Sequence, residues 1–477
     1  MLPKPFSWER ADARAGRFDG TFLIGVLTTG IYCLPSCSAR QPKPENVRLF
    51  KSEAEAAAAG LRPCKRCRPD LFYRGEHADI ALFEALAARV RARPGEHADA
   101  AALARACGVS QTKLGDLLRV HAHMTPAPWL KREQVRAAGR LLLESDQRVV
   151  DVGHAAGFES ESAFHRQFLA ITRMTPGAYR GLNGASVFML QLPAGYRAAE
   201  VLGYHARDPA SPCERVDGGK IFKALALDGA AAVLEMSLEP QAAWCRVHAN
   251  DKLGTGAIAT AHAVALRMLG LTGDVTGFET RAARDARMAP LLARRAGLRL
   301  PLTPTEFEGL AWAVIGQQIN IAFASSLRRE LLELAGTPVR GMVAHPSAAR
   351  VAEMRVTDLT KRRFSRSKAE YLIGAAQAVA AGDLAPALAE RSAVAAEREL
   401  VRIRGIGTWT ARYVLMRGAG FADCAPVGDV ALAAALQKLT AADTRPAPDE
   451  VERLMQPFAP HRSLATFHLW ASLRDAA

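Results

Sequence analysis

The residues best suited to chemistry fall in two places far apart in the chain. Cys33 and Cys37 form one close pair, and Cys64 and Cys67 form another, in a stretch rich in turn residues. The thiolate is both a nucleophile and a soft metal ligand. Four of them in two paired turns supply the tetrahedral set that zinc takes at about 2.3 Å. The second place is Ile403-Arg404-Gly405-Ile406-Gly407-Thr408-Trp409, followed by Tyr413 and by Asp429 in Pro426-Val427-Gly428-Asp429. A Gly-Ile-Gly turn between helices lets backbone N–H groups approach a phosphate. Taken alone it is also an ordinary tight turn, and a lone Asp at a helix start is most often a cap.

Positioning these groups takes several folding units. At roughly 100–200 residues per domain, 477 residues make three or four. Hydrophobic residues at 49% and charged residues at 23% are ordinary globular usage and exclude a fibrous or largely disordered chain. A net charge of +14 makes a polyanion the first partner to test, nucleic acid ahead of membrane. No run approaches the roughly 18 apolar residues of a membrane span. Met1 to Arg10 lacks the apolar core of a signal peptide, so the expected location is cytoplasmic. In that reducing setting the four close cysteines favour metal over disulfides, and Cys107, Cys213, Cys245 and Cys424 read as small buried hydrophobes.

Residues 1–75 mix short β-prone runs, such as Phe22 to Leu27, with turns and the cysteine pairs. Residues 76–181 follow helical periodicity, and 182–192 read as a linker around Gly184 and Ser186. From Val187 to about Leu271, β-like runs such as Ala231–Met236 alternate with a helical stretch near Ala257–Leu269. From Thr303 onward the pattern is mainly helical. A weak repeat lies inside 76–181. Ala104 to Ser110 resembles Gly153 to Glu159, and each unit ends in Met-Thr-Pro, at Met124 and at Met174.

Thr28-Thr29-Gly30-Ile31-Tyr32-Cys33, Cys37 to Arg40, and Leu61-Arg62-Pro63-Cys64-Lys65-Arg66-Cys67 resemble the N-terminal domain of the Ada DNA-repair proteins over about residues 15–73. The resemblance implies that all four cysteines bind one zinc ion, structural and activating. It also implies that Cys33 irreversibly accepts a methyl group from a DNA methylphosphotriester. Thr29, Arg40, Arg62 and Arg66 would then lie near the DNA backbone. Methylation turns one thiolate into a thioether, so the centre loses negative charge. DNA affinity should rise, because phosphate contacts dominate binding.

Residues 78–181 resemble an AraC-type domain with two helix-turn-helix motifs, on Leu103 to Ser110, Val149 to Phe158 and Ser160 to Arg180. Gly108 and Gly157 suit the tight turns. The expected recognition helices begin near Ser110 and Ser160 and enter the major groove by their N-terminal residues. Gln111, Lys113, Glu161 and His165 are the candidate DNA contacts. Phe158, Phe164 and Phe168 read as core.

Over about residues 188–475 the chain resembles AlkA-type 3-methyladenine-DNA glycosylases of the HhH-GPD superfamily. The resemblance rests on Gly297 to Pro301, Phe307 to Ile319, the hairpin, Asp429 and Arg462 to Trp470. It implies Asp429 as catalytic carboxylate, Trp409, Tyr413 and Trp470 as the pocket for the flipped base, and Gly405 and Gly407 as DNA-binding. Trp409 stands where bifunctional relatives carry a Lys nucleophile, which implies a monofunctional enzyme. Gln317 is read as structural or near the lesion. Arg404 replaces the family's usual hairpin Pro. No Pro-Cys-His-Arg nucleophile is found for O6-methylguanine reversal.

The expected architecture is multidomain, mostly α with α+β parts. A zinc-bound α/β domain (1–75) precedes a tandem helix-turn-helix domain (76–181), a TBP-like α+β subdomain (187–300) and a helical HhH-GPD glycosylase domain (301–477). The expected function is an adaptive-response alkylation repair protein that transfers a methyl group, activates transcription and excises alkylated purines. It would act as a monomer in the nucleoid, with double-stranded DNA and RNA polymerase as partners and no membrane association. The alternative is a zinc-containing regulator whose glycosylase-like domain only binds DNA.

Overall fold

Two structural units account for the chain in the computed structural model, residues 1–85 and 86–477. The residues described are 18–37, 39–40, 42–74, 78–384 and 387–475.

In the first unit the β-prone runs pair into a four-stranded sheet. Its strands are β1 (Leu23–Val26), β2 (Ile31–Cys33), β3 (Val47–Phe50) and β4 (Arg62–Pro63), in the order β3-β1-β2-β4. Gly30, at φ 61, closes the turn between β1 and β2. Leu23, Tyr32, Leu34, Phe50 and Leu61 form the small core. Two short helices, α1 (Glu53–Ala58) and α2 (Pro69–Tyr73), follow β3 and β4. Helix α3 (Ala78–Ala92) carries the chain into the second unit.

The second unit opens with the repeat made physical. Helix α4 (Ala100–Ala106) turns through Gly108, at φ 64, into α5 (Gln111–His121). Helix α7 (Val149–Ala155) turns through Gly157, at φ 90, into α8 (Glu161–Thr172). Ser110 and Ser160 cap α5 and α8 by accepting the N–H of Lys113 (3.1 Å) and Ala163 (3.3 Å). Each Thr-Pro starts the next helix, α6 (Pro126–Glu144) and α9 (Pro176–Arg180). Phe158, Phe164 and Phe168 are buried together with Val135 and Leu142 of α6, as core.

The stretch read as a linker ends sooner than expected. Residues 187–191 form a strand, β5 (Val187–Gln191), which pairs with β9 (Ala242–Ala249). Strands β6 (Glu214–Asp217), β7 (Lys220–Leu227) and β8 (Ala230–Leu238) complete a sheet of order β5-β9-β8-β7-β6. Helices α10 (Ala198–His205) and α11 (Ala257–Met268) accompany the sheet. Met174 of the helix-turn-helix unit and Leu182 just beyond it are buried in the same apolar cluster as Phe188, Leu190, Leu234 and Ile258. His262 of α11 donates to the carbonyl of Thr172 at 2.8 Å, and Gln191 N–H to that of Arg173 at 2.8 Å.

The helical remainder contains α12 (Val275–Ala282), α13 (Ala289–Arg295), α14 (Glu306–Gly316), α15 (Ile321–Ala335), α16 (Arg366–Ala381), α17 (Ala393–Arg402), α18 (Thr408–Val414), α19 (Val430–Thr440), α20 (Pro448–Met455) and α21 (Arg462–Ser472). Its core centres on α14, α15, α16 and α18. A small hairpin, β10 (Thr337–Val339) and β11 (Met342–Ala344), packs on Ala224 and Val233 of the sheet. A buried ionic cluster joins sheet and helices: Lys223 of β7 and Arg328 of α15 both donate to Glu308 of α14. Burial alone would raise the Glu308 carboxyl, but these two cations hold it down to about 2.

Cys213, Cys245 and Cys424 are buried as expected, whereas Cys107 is only half-buried at the end of α4. Among the described residues, no helix is long and apolar enough to cross a membrane.

Candidate functional sites

In the first unit, the ends of the sheet bring the two cysteine pairs together. Cys33 ends β2. Asp19 accepts the backbone N–H of Ser36 at 3.0 Å, and Cys37 N–H donates to the carbonyl of Leu34 at 3.1 Å, closing the first turn. Cys64 N–H donates to the carbonyl of Tyr32 at 2.9 Å, so the second turn is tied to β2. The four sulfurs lie within 4.8 Å of one another. Tetrahedral zinc at 2.3 Å from each sulfur would hold them about 3.8 Å apart. The donor set fits one structural zinc ion. Hydrogen bonding to Cys37 and Cys67 drives the Cys33 thiol up, and the reciprocal bond drives Cys37 down. Thiols this close cannot all ionise without a cation among them.

Thr29 lies in the β1–β2 turn, Arg62 on β4, Arg66 between Cys64 and Cys67, and Arg40 just beyond the first turn. All four are exposed. Gln111 is exposed and Lys113 half-buried in the first turn of α5. Glu161 and His165 face one another on α8, Nε2 to Oε1 at 3.7 Å, so these two side chains engage each other at the helix start.

The second site gathers on four elements. Asp429 caps α19: its Oδ1 accepts the N–H of Leu432 at 2.7 Å. The same oxygen accepts the indole N–H of Trp470, on α21, at 3.0 Å. Its Oδ2 accepts the indole N–H of Trp409, on α18, at 3.4 Å. The capping reading and the pocket reading of this residue therefore describe one carboxylate. Tyr413 lies between the two indoles, its ring centroid 5.6 Å from Trp409 and 6.2 Å from Trp470, with interplanar angles of 31° and 36°. All four residues are half-buried, so an electron-rich aromatic wall with a fixed carboxylate beside it stays open to a ligand.

Gly405, at φ 87, adopts the left-handed backbone the hairpin needs, and the Tyr371 ring packs where a Cβ would stand. Gly407 begins α18 with no side-chain cap, so backbone N–H groups at this end remain available. Arg404, in place of Pro, is exposed and pairs with Glu370 at 3.7 Å.

Two residues support this site: Gln317, which the sequence offered as structural or near the lesion, and Trp312, which it did not single out. Gln317 Nε2 donates to the carbonyl of Gly405 at 2.8 Å and to Thr410 Oγ1 at 2.9 Å, bracing the hairpin from α14. Trp312 donates its indole N–H to Tyr413 Oη at 3.0 Å. An aromatic among the small apolar residues of α14 was the one available signal. Burial raises the Tyr413 hydroxyl, so it stays protonated near neutrality.

Residues 7–70 match the metal-binding domain of Ada, and 103–181 match a helix-turn-helix domain. Residues 187–304 match the AlkA N-terminal domain, and 311–460 the HhH-GPD superfamily of base excision DNA repair proteins. A probable bifunctional transcriptional activator/DNA repair enzyme AlkA of Mycobacterium tuberculosis is 29% identical over 97% of this chain and 95% of its own. A DNA-3-methyladenine glycosylase of Bacillus subtilis is 31% identical over 60% of this chain and 97% of its own. The 3-methyladenine DNA glycosylase structure from Archaeoglobus fulgidus shares the fold of that part, with a TM-score of 0.54 at 22% identity, covering 60% of this chain and 98% of that one. The chain belongs to the family of Ada–AlkA fusions, in which an Ada-type metal-binding domain and a helix-turn-helix unit precede a base excision DNA repair protein of the HhH-GPD superfamily.

Proposed function

We propose that this DNA-binding repair protein excises alkylated purines at Asp429 and accepts methyl groups from DNA phosphotriesters at Cys33. The carboxylate of Asp429, held by two indole N–H donors beside an aromatic wall, carries the first half of the reading. An alkylated purine such as 3-methyladenine is cationic, so the faces of Trp409, Tyr413 and Trp470 attract it. The N-glycosidic bond breaks with its electron pair leaving on the base, which departs neutral. The Asp429 carboxylate stabilises the oxocarbenium-like sugar and orients a water. The water oxygen bonds C1′, and its proton is released. No lysine stands at Trp409, so the reading is of a monofunctional glycosylase.

The four-sulfur cluster supports the second half. Bound zinc supplies the positive charge that keeps these thiols ionised near neutrality. The Cys33 sulfur attacks the methyl carbon of a phosphotriester. A sulfur–carbon bond forms, the carbon–oxygen bond breaks with its electrons on oxygen, and a phosphodiester and a thioether result. Thr29 and Arg40 flank Cys33 in sequence, Arg62 and Arg66 flank Cys64, and these four exposed residues supply contacts to the backbone. Loss of one negative charge favours DNA. Gln111, Lys113, Glu161 and His165 then contact a promoter, where the chain acts as a monomer with RNA polymerase in the nucleoid.

Two measurements test the reading. Release of 3-methyladenine from alkylated duplex should be lost in Asp429→Asn, and undiminished release would overturn the site. A radiolabelled methyl from DNA should map to the Cys33 peptide, and equal labelling of Cys33→Ala would overturn the transfer.

A further inference from the structure

We propose that His123, on the helix-turn-helix unit, is a positioning residue for the glycosylase and holds the loop that delivers Asp429. The inference rests on Asp429 as the excising carboxylate.

His123 lies just beyond α5 with its backbone in the left-handed region, at φ 54. This is the left-handed cap that ends α5: Met124 N–H donates to the carbonyl of Leu118 at 3.3 Å, and Arg173 takes the same conformation, at φ 61, at the end of α8. The cap aims the His123 side chain at the glycosylase. The His123 ring meets Phe421 edge to face, centroids 5.1 Å apart, and its Nδ1 accepts the backbone N–H of Asp423 at 3.0 Å. Burial holds the ring neutral by pushing its pKa down to about 4, so the Nδ1 lone pair stays available near neutrality.

The far side of the same loop is fixed by the start of α21. The Asp423 carboxylate accepts Arg462 Nε at 2.7 Å and Nη2 at 3.0 Å. Ser463 Oγ donates to the carbonyl of Phe421 at 2.6 Å and accepts the N–H of Cys424 at 3.1 Å. The loop then runs to Asp429, whose own N–H closes on the carbonyl of Pro426 at 3.0 Å. Helix α21 carries Trp470, the donor to Asp429. One clamp on the catalytic loop thus comes from the glycosylase and the other from the regulatory unit.

A second contact fixes the same end of α5. His121 Nδ1 lies 2.7 Å from Ser392 Oγ, both residues buried, and Ser392 caps α17, the helix that enters the hairpin. Beside these contacts a cleft of about 510 Å³ opens between Arg119 and Val120 of α5 and Ala393 and Val394 of α17. On this side the loop meets the helix-turn-helix unit through a few directed contacts, while Phe421, Cys424 and Ala425 pack into the apolar cores of the glycosylase.

The test uses the full chain and single-turnover excision from alkylated duplex. Displacement of a reacting group by about 1 Å can cost up to a hundredfold, so His123→Ala should slow excision about tenfold. Its affinity for undamaged duplex should stay at the wild-type value, while its melting temperature falls by a few degrees with the lost buried hydrogen bond. In His123→Asn an amide oxygen can accept the Asp423 N–H and the side chain tolerates a left-handed backbone, so excision should recover to within about twofold. His123→Ala matching wild type while Asp429→Asn is inactive would overturn the positioning role. So would a loss that Asn fails to restore. An active Asp429→Asn would instead overturn the site on which the inference rests. Should His123→Ala fail to fold, His123→Leu fills its space without an acceptor, and equal rates for Leu and Asn would decide against the proposal.

Discussion

The indole N–H of Trp470 points at Oδ1 of Asp429 from 3.0 Å, on the oxygen that also caps α19. Capping and the proposed chemistry therefore share one atom, and substitutions can separate them. Asn is as good an N-cap as Asp, so Asp429→Asn should leave the melting temperature nearly unchanged while excision falls at least ~10²-fold. Asp429→Ala should lose excision and about 1 kcal/mol of stability as well. Equal melting curves for the Ala variant and wild type would refute the capping role.

Gln317 ties the hairpin to α14 through two hydrogen bonds. Gln317→Ala should loosen the backbone donors at Gly405 and Gly407, at about 1 kcal/mol, or roughly fivefold in Kd for undamaged duplex. Fluorescence anisotropy reads this directly, and an unchanged Kd would show that the brace does not matter for binding.

Glu308 is the shared acceptor of Lys223 and Arg328, and the Lys223 side chain is wholly buried. Glu308→Ala would leave Lys223 only the Glu214 carboxylate, at 3.6 Å, as a carboxylate partner and should cost about 3 kcal/mol of stability. Urea denaturation would expose the error if the loss stayed below about 1 kcal/mol, the range of exposed pairs.

Burial pushes His262 down to about 4 and His468 to about 3, so both are neutral in the fold. The unfolded chain, with an ordinary histidine pKa near 6.5, takes up protons first as the pH falls. Their stabilising contribution is therefore full above about 6.5 and is lost as the pH drops through about 4. Each should cost about 2 kcal/mol at pH 5 relative to pH 7.5. The melting temperature should fall over that interval, and a flat profile between pH 7.5 and 5 would contradict the neutral burial of these rings.

Much of both sites was legible because it depends on local rules. The serines at 110 and 160 fall where caps are needed, and the glycines at 108 and 157 where the backbone turns left-handed. The four cysteines converge because each pair sits in its own tight turn tied to β2. What escaped depends on partners distant in sequence. The strand that begins at Val187 overlaps the stretch read as a linker, and it is fixed by pairing with Arg246 and its neighbours, some sixty residues on. Trp312 supports the pocket through a hydrogen bond to a residue on another helix. His123 carries no signal of its own in the sequence, and only the fold brings Asp423 against it.

Met174 and Leu182 share their apolar cluster with strands made later in the chain. Synthesis runs from the N-terminus, so the ribosome delivers the helix-turn-helix unit before β7, β8 and β9 exist to cover those side chains. Until β9 emerges, an apolar face of the regulator is bare, which is the condition under which nascent chains aggregate or recruit chaperones. The order of the two halves in this gene product thus sets a waiting interval during its birth, whose length is the time needed to translate one sheet.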